Sequence, residues 1–187
     1  MKSTYMFIVF LVVAGIQLFI PAQMILNRES ILKTGKLYKL KTQPVDPSDP
    51  FKGKYINLNY DIDSFKTNDS LWRRNEPIYV YIEEDSLGYA KVDTVSRILL
   101  PKNERDFINA KVNWYSGYNN TLNITFDFNR FYMEETKAYD AEVAVRNVRQ
   151  DSLNDTHALV YVKAGETVLN DVIINNISIK DYVEKEE

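Results

Sequence analysis

The sequence predicts a mainly β (α+β) domain that is preceded by an N-terminal transmembrane helix. No charged residue lies between Lys2 and Arg28, whereas from Lys36 onward apolar and polar residues alternate with the period of strands. Aromatic residues make up 13% of the chain, which favours a packed domain because large rings supply the buried area that offsets chain entropy. Strands come first, then one helix, then a terminal hairpin. This order predicts an antiparallel or mixed sheet, or an open barrel, with one packed helix.

Residues 1–27 are predicted to form a hydrophobic anchor helix. The apolar run from Tyr5 to Ala22 approaches the ~20 helical residues that cross the hydrocarbon core of a bilayer. A helix of a soluble protein normally carries a polar face, and this segment has none. The alternative is a signal peptide that is cleaved after the small-residue site Ile20-Pro21-Ala22. We favour the anchor, because the apolar run exceeds the usual ~7–15 residues of a signal peptide.

Three further segments follow the anchor. Residues 28–35 are predicted to form a short helical stalk, with Gly35 as a natural C-terminal stop. Residues 36–182 form the β-rich domain, and residues 183–187 are a solvated tail rich in glutamate. No linker or repeat divides the domain.

Within the domain, the pattern predicts a short strand segment that follows Lys36 and ends at Pro44, and further strands at 55–60, 78–82, 107–115, 121–128, 157–163 and 168–179. Residues 88–100 are predicted to form one long strand or two shorter ones. Residues 78–82 are apolar or aromatic on both faces, which is typical of a central strand. Tyr118, Asn119 and Asn120 are predicted to form the turn of a hairpin. Residues 165–171 are predicted as a turn region. Residues 134–148 show a narrow apolar stripe at helical spacing and are predicted to form the packed helix.

Charge and cysteine content exclude several classes of function. The chain has 23 Lys and Arg against 26 Asp and Glu, without the concentrated basic excess of a nucleic-acid binder. It has no cysteine, which excludes disulfides, a thiol nucleophile and cysteine-based metal sites. We therefore predict no nucleic-acid partner, no metal and no cofactor.

Candidate catalytic residues are few. Ser30 and Lys33 have the S-x-x-K spacing of penicillin-recognising serine enzymes, and residues 33–35 spell K-T-G, but no S-D-N motif follows. His157, the single histidine, is predicted to lie at the surface or at the start of a strand. The two side chains of an acidic pair such as Glu83-Glu84 are predicted to point to opposite faces of a strand or to lie at the start of a helix. The sequence assembles no catalytic site, and most aromatic side chains are expected in the core.

Residues 44–60 resemble the signature of the bacterial GDYXXLXY family, in which Gly-Asp-Tyr is followed by Leu and Tyr at fixed spacing. The residues that carry the resemblance are Asp46, Pro47, Asp49, Pro50, Gly53, Tyr55, Leu58 and Tyr60. Lys54 stands where the family has Asp, and this removes the one ionisable motif position that would suit an acid or base. The motif also has a physical interpretation: a turn followed by a strand, with Leu58 and Tyr60 on one face and Asn57 and Asn59 on the other. In this interpretation the tyrosine hydroxyls satisfy buried backbone groups, and the alternative is a ledge that binds a ligand or a partner.

The resemblance implies a membrane-anchored protein of unassigned biochemical role. It implies a location in the cytoplasmic membrane as a single-pass protein with an extracytoplasmic C-terminal domain, and a multi-span membrane protein as the partner. The basic residues after the anchor argue for the opposite orientation under the positive-inside rule, although long domains are translocated with little regard to charge. We expect a non-catalytic interaction module. The alternatives are an envelope enzyme that uses carboxylates or a Ser/Lys pair, and a secreted ligand-binding domain after signal cleavage.

Overall fold

The computed structural model describes residues 2–43, 55–101, 105–132 and 156–184. The predicted helix over 134–148 lies outside these residues. So does most of the segment that precedes the motif strand, including Asp46, Pro47, Asp49, Pro50 and Gly53.

The chain begins with one long helix, α1 (Lys2–Thr34), which continues through Pro21. It is long and apolar enough to cross a membrane, and its most apolar window is not buried against the described part of the chain. The stalk predicted at 28–35 is the last turns of this same helix. Gly35 ends it, as the sequence predicts, because the chain passes too close to its neighbours for a side chain. A Cβ there would lie 2.5 Å from the Ile31 carbonyl oxygen and 3.1 Å from that of Val162.

In the part of the chain that the structure describes, twelve strands follow α1. They are β1 (Lys36–Gln43), β2 (Tyr55–Asn57), β3 (Asn59–Tyr60), β4 (Ser64–Lys66), β5 (Pro77–Glu84), β6 (Ala90–Ser96), β7 (Phe107–Ser116), β8 (Thr121–Thr125), β9 (Arg130–Tyr132), β10 (Thr156–Lys163), β11 (Glu166–Ile174) and β12 (Ile177–Ser178). A 3₁₀ turn occupies Asp61–Asp63, and a short helix, α2, occupies Ile179–Glu184.

The strands form two five-stranded sheets and a two-stranded ribbon. The first sheet has the order β12-β11-β10-β1-β3, the second sheet has the order β4-β8-β7-β5-β6, and the ribbon is β2-β9. Neighbouring strands within each sheet and in the ribbon pair antiparallel. This nearly closed antiparallel architecture confirms the predicted fold class. β5 has a partner on each side, as predicted for a central strand.

Two isolated bridges join the sheets into one body. Lys39 of β1 bridges to Tyr89, and Ile108 of β7 bridges to Gly165 at the turn between β10 and β11. At the second bridge the Asn109 amide donates a hydrogen bond of 2.9 Å to the Gly165 carbonyl. We call this second contact the seam between the sheets.

The core lies between the inner faces of the two sheets. Side chains without solvent exposure come from both of them: Leu40, Val160 and Val172 from the first, and Val80, Ile108 and Leu122 from the second. The predicted apolar face at 121–128 is confirmed, because Leu122, Ile124, Phe126 and Phe128 are all buried, although β8 itself ends at Thr125. Removing large amounts of apolar surface from water in this way is the main stabilising term of such a domain.

The turns are partly as predicted. The hairpin between β7 and β8 is confirmed, with Ser116 paired to Thr121. The turn region predicted at 165–171 is wrong: the turn is Ala164-Gly165, with φ of 49° and 85°, and β11 already begins at Glu166. The strand predicted at 168–179 is also interrupted by Asn175-Asn176, whose φ values are 50° and 66°. Two residues with positive φ are the mark of the tight hairpin turn that matches strand twist.

Replacing Gly165 by Ala should destabilise the domain more than the same change at Gly88. Both glycines have positive φ, 85° and 81°, and an L-residue in that region costs roughly 1–2 kcal/mol. Only at Gly165 would the new Cβ also meet neighbours, at 2.5 Å from Phe107 and 2.6 Å from Asn109. Chemical denaturation of the detergent-solubilised chain, followed by tryptophan fluorescence, measures both variants. Equal losses in the two variants would show that the seam is not tightly packed.

Candidate functional site

The motif strand, residues 55–60, changes its partner in mid-course. Tyr55 to Asn57 pair with β9 in the ribbon, and Asn59 and Tyr60 pair with β1 in the first sheet. Between the two pairings, the Leu58 amide donates a hydrogen bond of 2.8 Å to the Asn129 carbonyl. The motif strand therefore connects the ribbon to the first sheet.

The described motif side chains lie on the faces that alternation predicts. Leu58 and Tyr60 are 5% and 2% exposed, whereas Asn57 and Asn59 are exposed. Tyr55 opens β2. Leu58 and Tyr60 thus belong to the core, and the two asparagines face solvent.

Tyr60 makes a buried hydrogen bond to the main chain. Its hydroxyl donates to the Phe128 carbonyl at 2.9 Å, and the two rings pack with centroids 5.2 Å apart. Burial raises the pKa of the Tyr60 phenol far above its usual range, so the hydroxyl stays a neutral donor. A buried carbonyl without a donor is costly, and Tyr60 supplies the donor here. This agrees with the interpretation that a motif tyrosine satisfies buried backbone groups.

Asp63 closes the 3₁₀ turn that follows the motif strand. The Tyr60 amide donates to the Asp63 carboxylate at 2.7 Å. Burial raises the pKa of Asp63 from its usual 3.8 to about 6, against the opposing effect of the Tyr60 hydrogen bond, and the nearby charge of Asp61 adds to the rise. Asp63 is thus a partly buried carboxyl that titrates in an unusual range and lies beside the motif.

Beside the motif strand lies a depression of about 360 Å³, which we call the polar hollow. It lies where β8 ends and β4 begins, and Leu58 to Tyr60 form part of its wall. Its polar lining residues are Asn59, Asp63, Ser64, Asn113, Asn123, Thr125 and Asn129. Sequence reasoning missed this set, because its members come from distant parts of the chain. The only local signal was the pair of exposed asparagines in the motif strand.

A larger space of about 910 Å³, which we call the helix–sheet cleft, lies between the C-terminal part of α1 and strands β9 to β11. Its charged lining residues are Arg28, Asp127, Arg130, Lys163, Glu166 and Lys180. Tyr132, which is largely exposed, also lines it.

The Ser/Lys pair suggested by the sequence does not form. Lys33 is ion-paired to Glu29 at 3.0 Å on the exposed face of α1. Ser30 contacts a different lysine, Lys163, whose ammonium donates to the Ser30 hydroxyl at 2.8 Å. A cation that donates to the hydroxyl is positioned to hold it in place, whereas a general base must accept its proton.

His157 is a strand-start residue, as predicted, because it is the second residue of β10. The alternative prediction of a surface position is wrong, since His157 is only 4% exposed. Its ring packs edge-on against Tyr89, with centroids 5.6 Å apart. Tyr89 belongs to the bridge between the sheets, and this contact buries the imidazole.

The acidic residues of β5 form ion pairs with lysines of β6 and β1. Glu83 pairs with Lys91 at 3.1 Å, and Glu84 pairs with Lys36 at 2.9 Å. Among the residues that the structure describes, no three His, Asp or Glu side chains gather in a group that could hold a metal ion.

The comparison with protein families agrees with the motif. A family model described as GDYXXLXY protein matches residues 17–172. The chain belongs to the GDYXXLXY protein family. The match runs from the middle of α1 into β11, so the GDYXXLXY relationship covers the end of the helix and most of both sheets. No curated protein matches the chain, and no solved structure does.

Tyr60→Phe should cost about 1–3 kcal/mol of unfolding free energy, because the buried Phe128 carbonyl loses its donor. The matched control is Tyr118→Phe, at a fully exposed tyrosine, which should leave stability unchanged. Denaturation curves of the two variants and the parent chain give the comparison. A Tyr60→Phe variant as stable as the parent would contradict a structural role for the motif hydroxyl.

The Asp63 carboxyl should make the domain less stable as the pH rises from about 4 to about 6. In this window the folded chain keeps a proton that the unfolded chain releases, so that stability falls with rising pH. Asp63→Asn retains an oxygen that accepts from the Tyr60 amide but abolishes the titration. The unfolding free energy of the parent minus that of the variant should decline across the window and level off above it. A difference that stays constant with pH would contradict the raised pKa.

Proposed function

We propose that this chain is a single-pass membrane protein with an extracytoplasmic β domain, and that it acts as a non-catalytic interaction module. In this proposal the helix–sheet cleft docks on a segment of another membrane protein. The observation that carries the proposal is the short, hydrogen-bonded joint between α1 and the first sheet.

The joint is made by the last two turns of the helix. Ile31 is 7% exposed, and Ser30 is hydrogen-bonded to Lys163 at the end of β10. A single residue, Gly35, separates α1 from β1, and its backbone lies close to Val162. Because no flexible linker separates α1 from β1, the cleft stays at a fixed height along the helix axis.

That height corresponds to the membrane surface if α1 spans the bilayer. About 20 residues cross the hydrocarbon core, and the first charged residue after the apolar run is Arg28. Met24, Asn27 and Arg28 line the cleft, so its lower wall lies where the helix would leave the lipid. A partner that reaches this cleft most directly is one that is itself in the membrane.

Charge favours an acidic docking segment. Among the described lining residues, Arg28, Arg130, Lys163 and Lys180 outnumber Asp127 and Glu166. Complementary charge across an interface steers association and sets its specificity. We therefore expect the partner to present a juxtamembrane segment with more acidic than basic residues.

The extracytoplasmic orientation is compatible with the charges that follow the anchor. Lys36, Lys39 and Lys41 belong to β1 and are part of a long folded domain. The positive-inside rule applies chiefly to short loops, whereas long domains are translocated with little regard to charge.

Site-specific photocrosslinking in native membranes tests the proposal. A photoreactive phenylalanine at Tyr132, in the cleft, should give a crosslink to an integral membrane protein, and the same group at exposed Tyr118 should not. Charge reversal by Arg130→Glu should reduce the crosslink. Because the chain lacks cysteine, Tyr118→Cys also reports orientation through labelling of intact cells with a membrane-impermeant maleimide.

Three results would contradict the proposal. The first is crosslinking of equal strength from Tyr132 and Tyr118, or to soluble proteins alone. The second is maleimide labelling only after the cells are opened. The third is a mature chain that begins after Ala22, which would remove the anchor and favour a secreted domain.

A further inference from the structure

Asparagines are concentrated around the polar hollow. Four of its lining residues are asparagines: Asn59, Asn113, Asn123 and Asn129. Each carboxamide offers both donors and acceptors of hydrogen bonds. Asp63 is the one charged residue among the described lining residues, so the hollow is polar with little net charge.

A β-bulge positions one of these amides and an adjacent indole. The pairing between β7 and β8 shifts by one residue between Val112 and Trp114, which leaves Asn113 as the extra residue. Bulges bend a strand and redirect its side chains, and they recur beside functional sites. Here Asn113 and Trp114 are both exposed, where strict alternation would expose only one of them.

Trp114 does not line the hollow itself but is the cross-strand neighbour of a lining residue, Asn123. Asn123 of β8 pairs with Ser64 of β4 on one side and with Trp114 of β7 on the other. Directly paired residues project to the same side of a sheet. A hydroxyl, a carboxamide and an indole therefore form a row across three strands, and Trp114 is 51% exposed at the end of that row.

We propose that the polar hollow binds an uncharged saccharide, with carboxamides on its hydroxyl groups and Trp114 against the apolar face of a sugar ring. Sugar hydroxyls donate and accept hydrogen bonds, as the carboxamides do, and the Asp63 carboxylate is a strong acceptor for them. The volume of about 360 Å³ lies at the small end of ligand pockets. This inference does not depend on the membrane partner.

Other ligand classes match the lining less well. An anion would face the Asp63 carboxylate with no cationic residue among the described lining residues, and an apolar ligand would cover amides without pairing them. An extended peptide would add as a strand to β4, because β4 is the last strand of the second sheet. Its main chain would form hydrogen bonds with the edge of β4 and would not require the asparagine side chains.

Saturation-transfer NMR on the full chain tests the proposal. The chain is held in nanodiscs or in a detergent without a sugar head group, because a glycoside detergent would compete. The probes are soluble oligomers of N-acetylglucosamine, soluble oligomers of glucose, and an uncharged oligopeptide. We expect one of the two oligosaccharides to bind with a Kd of about 1 mM or tighter, corresponding to roughly −4 kcal/mol.

Matched variants locate the site. Asn59→Ala should weaken saccharide binding about tenfold through lost hydrogen bonds, whereas Asn57→Ala, on the same strand but outside the hollow, should leave it unchanged. Trp114→Ala should also weaken binding, and Trp114→Phe should restore part of it. Leu71→Ala, at another exposed apolar residue, controls for loss of surface area.

The proposal is overturned by any of three outcomes. One is the absence of saturation transfer from both oligosaccharides to a correctly folded chain. Another is saccharide binding that Asn57→Ala weakens as much as Asn59→Ala does. The last is tighter binding of the oligopeptide than of either oligosaccharide, which would indicate that this region binds peptides along the edge of β4.

Discussion

The partner change of the motif strand is the constraint on which much of this domain depends. Within six residues the chain must complete a ladder with β9 and then begin one with β1. At the crossover, the Leu58 amide donates a hydrogen bond to the Asn129 carbonyl, and the Tyr60 hydroxyl donates one to the Phe128 carbonyl. Both contacts fall on the segment that joins β8 to β9. The motif therefore ties the first sheet to the continuation of the second, and its Leu and Tyr have a structural reason to be present.

The same crossover creates the outer surface beside it. Turning Leu58 and Tyr60 inward leaves Asn59 exposed at the rim of the polar hollow. The turn that begins at Tyr60 brings Asp63 to the same place. Buried and exposed residues thus alternate along one short strand, as the period of two requires, and one of the exposed residues, Asn59, lies at the hollow.

Long elements with a regular pattern were predictable from the sequence. The central strand β5 was visible because both of its faces are apolar, and the β7–β8 hairpin because a turn separates two alternating runs.

Strands β4 and β9, with three residues each, are too short to show a period and were missed. The Ala164-Gly165 turn was missed because alanine rarely adopts positive φ. The burial of His157 depends on Tyr89, which is distant in sequence. The bulge at Asn113 depends on the register of the β7–β8 pairing, which alternation within one strand does not reveal.

The motif differs in the same respect from the hollow and the cleft. The motif residues were found because their spacing is local. The asparagines of the hollow and the cations of the cleft come from several separate elements, and only the folded topology brings them together. A single asparagine at each of those positions carries no signal of its own.

The direct passage from α1 through Gly35 into β1 has a mechanical consequence. A membrane-spanning helix adjusts its tilt when the thickness of the surrounding bilayer changes. Ser30 is hydrogen-bonded to Lys163 of β10, and Ile31 is buried at the same joint. If α1 spans a bilayer, as proposed, the β domain would turn with the helix, and a small change of helix tilt would swing the far end of the domain through a larger arc. Lipid thickness would then be converted into domain orientation.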